Sequence, residues 1–204
     1  METMTNLHIS QYALEQWLCQ MVSSKIKVFA PVHDGEKIDF RLLSSGDEVA
    51  AGYVQTTQSA KRFAFPKTER LFSYRKEGKD VTLQERNLND FPEIVLWKVR
   101  PCDAVGFGSL TGIFNWDYKD NLYNARRAKM ALVSFSCTQC DESCFCTSVH
   151  GGPGNTEGSD IQVTELPDQS ALVEVLTTKG RALVERFMKE PVPADGIDKS
   201  AYLA

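Results

Sequence analysis

Apolar residues recur along the chain with two different periods, and each period predicts elements. Leu7, Ile9, Tyr12, Ala13, Trp17, Leu18, Met21 and Val22 fall at roughly helical spacing, so residues 7–23 are expected to form an amphipathic helix with one core-facing stripe. Cys19 lies in that helix and is expected to be a small buried hydrophobe, because free cysteine is among the most buried residue types. Lys25 to Ala30 and Lys37 to Leu42 are strand-like runs on either side of Asp34-Gly35, a strong turn dipeptide, and together predict a hairpin. The stretch from Thr56 to Arg75 has no clean periodicity and is expected to be mostly loop and extended chain.

Ile94 to Val99 (IVLWKV) is almost continuously apolar and β-branched, the pattern of a central strand covered on both faces. Pro101 ends it. Asp103 is expected to cap the following helix, with Ala104, Val105, Phe107 and Leu110 on its apolar side. Tyr118 to Lys129 reads as a second, more polar helix, and Ala131 to Phe135 (ALVSF) as another buried strand. If the two strands are parallel neighbours, the connection is a right-handed crossover that brings both C-terminal ends to one edge, where Cys102 and Cys137 would face each other. Downstream, Ile161 to Leu166 and Ala171 to Leu176 flank Pro167-Asp168 as a second hairpin. Lys179 to Lys189 comes next as a helix with Ala182, Leu183, Phe187 and Met188 inward. The predicted class is therefore α/β: a sheet with flanking helices, additional β-hairpins, and a site at the C-terminal ends of two adjacent strands. Residues 1–190 are expected to form this domain, with an N-terminal lobe over about 1–90 and a core over about 91–190. Residues 191–204 are expected to be a loosely attached tail.

Composition narrows the function. The 204 residues are 42% hydrophobic and 25% charged, with 13 Gly and 8 Pro, which is ordinary for a globular chain and unlike a disordered or fibrous one. A net charge of -4 without a Lys/Arg-rich run offers no footprint for nucleic acid or an anionic membrane. The start METMTNLHIS lacks the basic and apolar regions of a secretory signal, and no stretch approaches the roughly 20 apolar residues that span a bilayer. A cytoplasmic location without membrane insertion is expected. Six cysteines in a reducing compartment are not expected to pair as disulfides. Four of them fall within ten residues, and such crowding asks for a metal.

Cys137 to Cys146 reads C-T-Q-C-D-E-S-C-F-C, with thiols at offsets of three, seven and nine residues. A [4Fe-4S] cube needs four thiolates, and an irregular cysteine loop can wrap it closely. An extended Cys144-Phe145-Cys146 would point both sulfurs to one side and leave Phe145 to pack as a shield. The competing chemistries are structural zinc, a thioredoxin-type dithiol at Cys137 and Cys140, and inert buried thiols. Zinc usually takes two paired knuckles with a longer separation; the dithiol leaves Cys144 and Cys146 without a task. One cube also leaves one thiol surplus. Local spacing favours Cys140 as a ligand, the crossover favours Cys102, and spacing alone does not choose.

Val99-Arg100-Pro101-Cys102-Asp103, then Tyr123 with Arg126-Arg127, then Cys137 and Cys144-Phe145-Cys146-Thr147-Ser148 resemble the family that comprises sulfhydrogenase beta subunits and the A subunits of anaerobic sulfite reductase. Phe63-Ala64-Phe65-Pro66, Glu69, Gly151-Gly152-Pro153, Asp160 to Glu165, Val173-Glu174-Val175 and Lys179-Gly180 extend the likeness over roughly residues 55–185. The resemblance implies Cys102, Cys137, Cys144 and Cys146 as the ligands of one [4Fe-4S] cluster and leaves Cys140 spare. It implies an electron-transfer subunit between a flavoprotein partner, which carries any flavin, and a hydrogenase or reductase catalytic subunit. Members of the family continue into a ferredoxin module that this sequence lacks, so a ferredoxin-like partner subunit is expected to supply the next carrier.

Other features carry less. Gly151-Gly152-Pro153-Gly154 lacks the pattern of a phosphate loop and reads as a loop closing over the cysteines; His150 beside it reads as solvated or hydrogen-bonded, and His8 and His33 have no companions. Arg100, Arg126 and Arg127 are expected either to offset the charge of a thiolate cluster or to form surface charge pairs. The basic and aromatic mixture from Lys61 to Phe72 reads as an anchored loop or an acidic-partner dock. No residue set for hydrolysis is present.

Overall fold

The six residues Ile94–Val99 and the six residues Met130–Phe135 are nearly all apolar because they form neighbouring strands with both faces covered. In the computed structural model, residues 5–189, 192–194 and 198–203 are described. Their elements are β1 (Thr5–Ser10), α1 (Gln11–Val22), β2 (Lys27–Asp34), β3 (Lys37–Leu42), β4 (Phe72–Glu77), β5 (Asp80–Glu85) and β6 (Ile94–Val99). They continue through α2 (Pro101–Ile113), α3 (Asn121–Ala128), β7 (Met130–Phe135), β8 (Ile161–Glu165), β9 (Ser170–Val175), α4 (Thr178–Phe187) and β10 (Val192–Pro193). One eight-stranded sheet has the order β10-β1-β9-β8-β7-β6-β2-β3, and β4-β5 form a separate two-stranded sheet. Strands β8, β7, β6 and β2 are parallel, while β9 and β3 return as the antiparallel arms of the two predicted hairpins. The mixed α/β class expected from the pattern is the fold adopted.

Side-chain alternation divides the interior into two layers. Val95, Trp97, Ala131, Val133 and Phe135 join α1 and α4 residues Leu14, Trp17, Met21, Leu183 and Val184. Ile94, Leu96, Met130 and Leu132 join Phe107 of α2 and Tyr123 of α3 on the opposite face. Each fully buried Leu or Val contributes about 1.5–3 kcal/mol. Ring contacts close both layers: Trp17 meets Trp97 edge-on at 5.1 Å, and Phe114 stacks on Tyr123 at 4.4 Å. Among the described residues no helix is long and apolar enough to cross a membrane.

Several expectations need correction. Leu7 and Ile9 are not helical; they lie in β1, which pairs with β9, and their two-residue spacing serves the strand. The helix starts only at Ser10, whose Oγ accepts from Ala13 N at 3.2 Å. Tyr12 and Cys19 are exposed on α1, because its buried stripe is narrower than the apolar positions suggested. Asp103 is not the cap of α2: that helix begins earlier, with Arg100 as cap residue and Pro101 in the first turn, and Asp103 pairs with Lys61 at 3.1 Å. The stretch read as loop and extended chain holds a 3-10 turn at Ala60–Phe63 and runs into β4 of an unforeseen hairpin, where Phe72, Tyr74, Val81 and Leu83 share one exposed face. In α4, Val184 is buried and Ala182 is exposed.

Part of the predicted tail is anchored. Strand β10 pairs with β1, and Lys199 Nζ donates to Gln162 Oε1 at 2.6 Å and to Gly154 O at 3.2 Å, beside Glu174 Oε2 at 2.5 Å. Residues 191, 195–197 and 204 of that tail lie outside the described residues.

Two glycines test these packing relations with opposite signs. A Cβ at Gly180 would lie 2.2 Å from the Asp160 carbonyl oxygen, whereas one at Gly108 in α2 meets nothing within 4 Å. Gly180→Ala is expected to destabilise the fold by about 1–3 kcal/mol through overpacking. Gly108→Ala is expected to stabilise it by up to about 1 kcal/mol through helix propensity. Chemical denaturation of both variants checks the pair; Gly180→Ala at wild-type stability contradicts the close approach of α4 to β8.

Candidate metal centre

The cysteine edge is built on a defect in β6. Lys98 has φ 64, and the β6–β7 register slips between Trp97 and Val99. This bulge reverses the side-chain phase, so Val99 joins the α2 layer instead of following Val95 and Trp97. It also presents the Lys98 carbonyl to Tyr53, whose phenol donates a hydrogen bond to it. The Tyr53 ring lies under the Arg100 guanidinium, 4.1 Å from centroid to Cζ. Burial pushes the Tyr53 phenol far above its usual range, with Arg100 pulling the other way. Arg100 is only 8% exposed, and its Nε is buried without a hydrogen-bond partner.

Cys102 comes two residues later in the first turn of α2, where the helix N-terminus favours a thiolate. The residue is exposed, yet enough protein surrounds its Sγ for burial to lead an upward pKa shift, reinforced by Asp103 and Cys146 and opposed by backbone N–H groups. Cys137 stands two residues after β7. Burial raises its pKa, Arg100 lowers it, and Cys102, Cys146 and Cys144 raise it further. Those three thiols lie close enough to Cys137 to act on it, and Cys140 is exposed.

Backbone contacts hold the loop. Cys137 N donates to Pro153 O and Gly151 N to Cys146 O, each at 2.9 Å, so the glycine-containing segment is tied by its backbone to Cys137 and Cys146. Asp141 N donates to Cys144 Sγ at 3.4 Å, and Gln55 Nε2 ties the Asp141 carboxylate to the chain beside Tyr53 at 2.8 Å. Gly158, at φ +79, passes over α2 so closely that a Cβ would sit 2.3 Å from the Ala104 oxygen.

Other expectations fall away. Phe145 has φ -134 and ψ 13 and Cys146 opens a 3-10 turn, so Cys144-Phe145-Cys146 is not extended. Phe145 is 67% exposed and shields nothing. Arg126 pairs with Glu69 and binds Ala64 O, and Arg127 donates to Met130 O at the start of β7, the opposite end of the strand from Cys137. Only Arg100 of the three arginines is at the cysteines. His150 is exposed in a left-handed turn. Tyr53 was not foreseen, since nothing in its neighbourhood marks a position whose partner is a distant carbonyl.

A group of thiols beside an arginine whose buried Nε lacks an acceptor would fit an anionic, thiolate-ligated iron–sulfur cluster, which Cys102, Cys137, Cys144 and Cys146 would hold. Among the described residues no three His, Cys, Asp or Glu side chains converge tightly enough to hold a single ion. The thiols are neighbours rather than a closed shell. No protein-family model, curated protein or solved structure matches the chain; what is defined at this level is a mixed α/β protein with a cysteine-lined edge.

The raised thiols set a pH dependence for the metal-free chain. Folded pKa values above the unfolded value mean that stability is full below about pH 8.5 and declines as pH rises through the folded values. Denaturation at pH 7 and pH 10 is expected to show this loss, and iodoacetamide mapping at pH 8 is expected to label exposed Cys140 before Cys137. Equal labelling contradicts the burial of Cys137.

Proposed function

We propose that this chain holds one [4Fe-4S] cluster on Cys102, Cys137, Cys144 and Cys146 and serves as an electron-transfer subunit of a cytoplasmic redox complex. The observation that carries this reading is the meeting, at one sheet edge, of Cys102 from the first turn of α2, just after β6, with Cys137 and the Cys144–Cys146 pair from beyond β7. Such an edge is where open α/β sheets place their sites. When bound, the cube supplies one-electron transfer without a proton.

The sequence spacing of the thiols favours iron and sulfur over zinc, because structural zinc usually takes two paired knuckles separated by a longer stretch, which the compact run Cys137 to Cys146 lacks. A thioredoxin-type nucleophile needs a depressed pKa, and Cys137 is shifted up by its burial. The chain's own part is to hold the thiolates, to cover them with the 151–154 segment, and to leave one side open to a partner. The resemblance to sulfhydrogenase beta subunits and to the A subunits of anaerobic sulfite reductase supports a flavoprotein donor and a hydrogenase or reductase acceptor.

Anaerobic purification with iron, sulfide and zinc analysis tests the reading. About four iron and four sulfide per chain are expected, one cube. Cys102→Ser is expected to lose them and Cys140→Ser to keep them. Stoichiometric zinc, or colourless metal-free protein with a Cys137–Cys140 disulfide, would falsify the proposal.

A further inference from the structure

We infer that Arg100 is a positioning residue of the sulfur site: its unpaired Nε–H donates to the sulfurs held at Cys137, and its fixed charge makes the site easier to reduce. This rests on the cluster reading. The Nε of this residue, only 8% exposed, has given up its water, and among the described residues no carboxylate pairs with the guanidinium and no acceptor meets Nε. The Tyr53 face attracts the cation but offers no in-plane lone pair to the N–H fork. What is missing is an acceptor for Nε, and Cys137 is close enough for the Arg100 charge to act on its thiol.

The arginine is also held from behind. Its carbonyl accepts Ala104 N at 3.0 Å as the cap of α2, and the ring beneath it is tethered to the bulge carbonyl of Lys98. Arg126 and Arg127 are occupied at the other end of β7. Reduction adds one electron from a one-electron donor, breaks no bond and takes up no proton, so the sulfur site gains one negative charge. A cation that never deprotonates stabilises that reduced form more than the oxidised one.

Reductive titration with dithionite, monitored by electron paramagnetic resonance on the anaerobically purified full chain, tests the inference. Arg100→Met is expected to keep its iron and sulfide and to become at least tenfold harder to reduce, a potential about 59 mV lower for a one-electron couple. Arg100→Lys is expected to recover part of the loss and Arg127→Met to titrate as wild type. An unchanged potential in Arg100→Met, or an equal shift in Arg127→Met, overturns the inference. Should Arg100→Met lose the cluster, Arg100→Lys decides: a potential near wild type supports the role of charge, and a full tenfold loss refutes it. Wild-type protein without iron and sulfide sinks the cluster reading itself, and metal analysis detects that before any titration.

Discussion

Burial of β6 and β7 on both faces is the constraint on which the rest of the structure depends. Parallel neighbours cannot be joined by a tight turn, so the chain leaves Val99, runs back as α2 and α3, and re-enters the sheet at Met130. That return path supplies the helical layer over Leu96 and Leu132, while α1 and α4 cover Trp97 and Val133. Both strands therefore end at one edge. The residues just beyond the two strands are delivered there together, and Cys102 and Cys137 are among them.

The bulge at Lys98 makes that edge chemically distinct. A regular strand would have left Val99 pointing into the α1 layer and the Lys98 carbonyl in the ladder. Instead the carbonyl is free for Tyr53, the ring of Tyr53 lies beneath Arg100, and Arg100 is carried into the surroundings of Cys137. A left-handed lysine inside a strand is unfavourable by of order 1 kcal/mol or more and persists only where the surroundings demand it. Here its backbone and its side chain both have partners: Lys98 Nζ reaches Glu165 at 3.4 Å and lies over the Phe135 ring. The distortion thus links the ends of β6, β7 and β8 around the same edge.

Much of this was legible because the strongest local signals coincide with the deepest burial. IVLWKV and ALVSF could only be two-sided strands, and Asp34-Gly35 and Pro167-Asp168 could only be turns between strand-like runs. A parallel pairing of those two strands is enough to bring Cys102 and Cys137 to one edge. The misreadings lie where local pattern is degenerate. Leu7 and Ile9 satisfy a strand and a helix equally, and a Ser at position 10 that caps α1 marks a boundary that apolar spacing does not reveal. Cys19 is apolar enough for a core but falls outside the α1 stripe. Arg100, Arg126 and Arg127 look alike in sequence, and their fates depend on which end of a strand each one flanks.

The sequence by itself determined the α/β class, the paired buried strands, both long-sheet hairpins and the clustering of thiols, because hydrophobic period and turn chemistry act over a few residues. Only the tertiary structure decided that the Arg100 Nε is buried without an acceptor while its guanidinium lies over Tyr53, and that the Cys144–Cys146 segment is bent. The placement of Arg100 depends on one backbone irregularity at Lys98 and on the contact of Lys98 with Tyr53, 45 positions away. Local propensity carries no information about either.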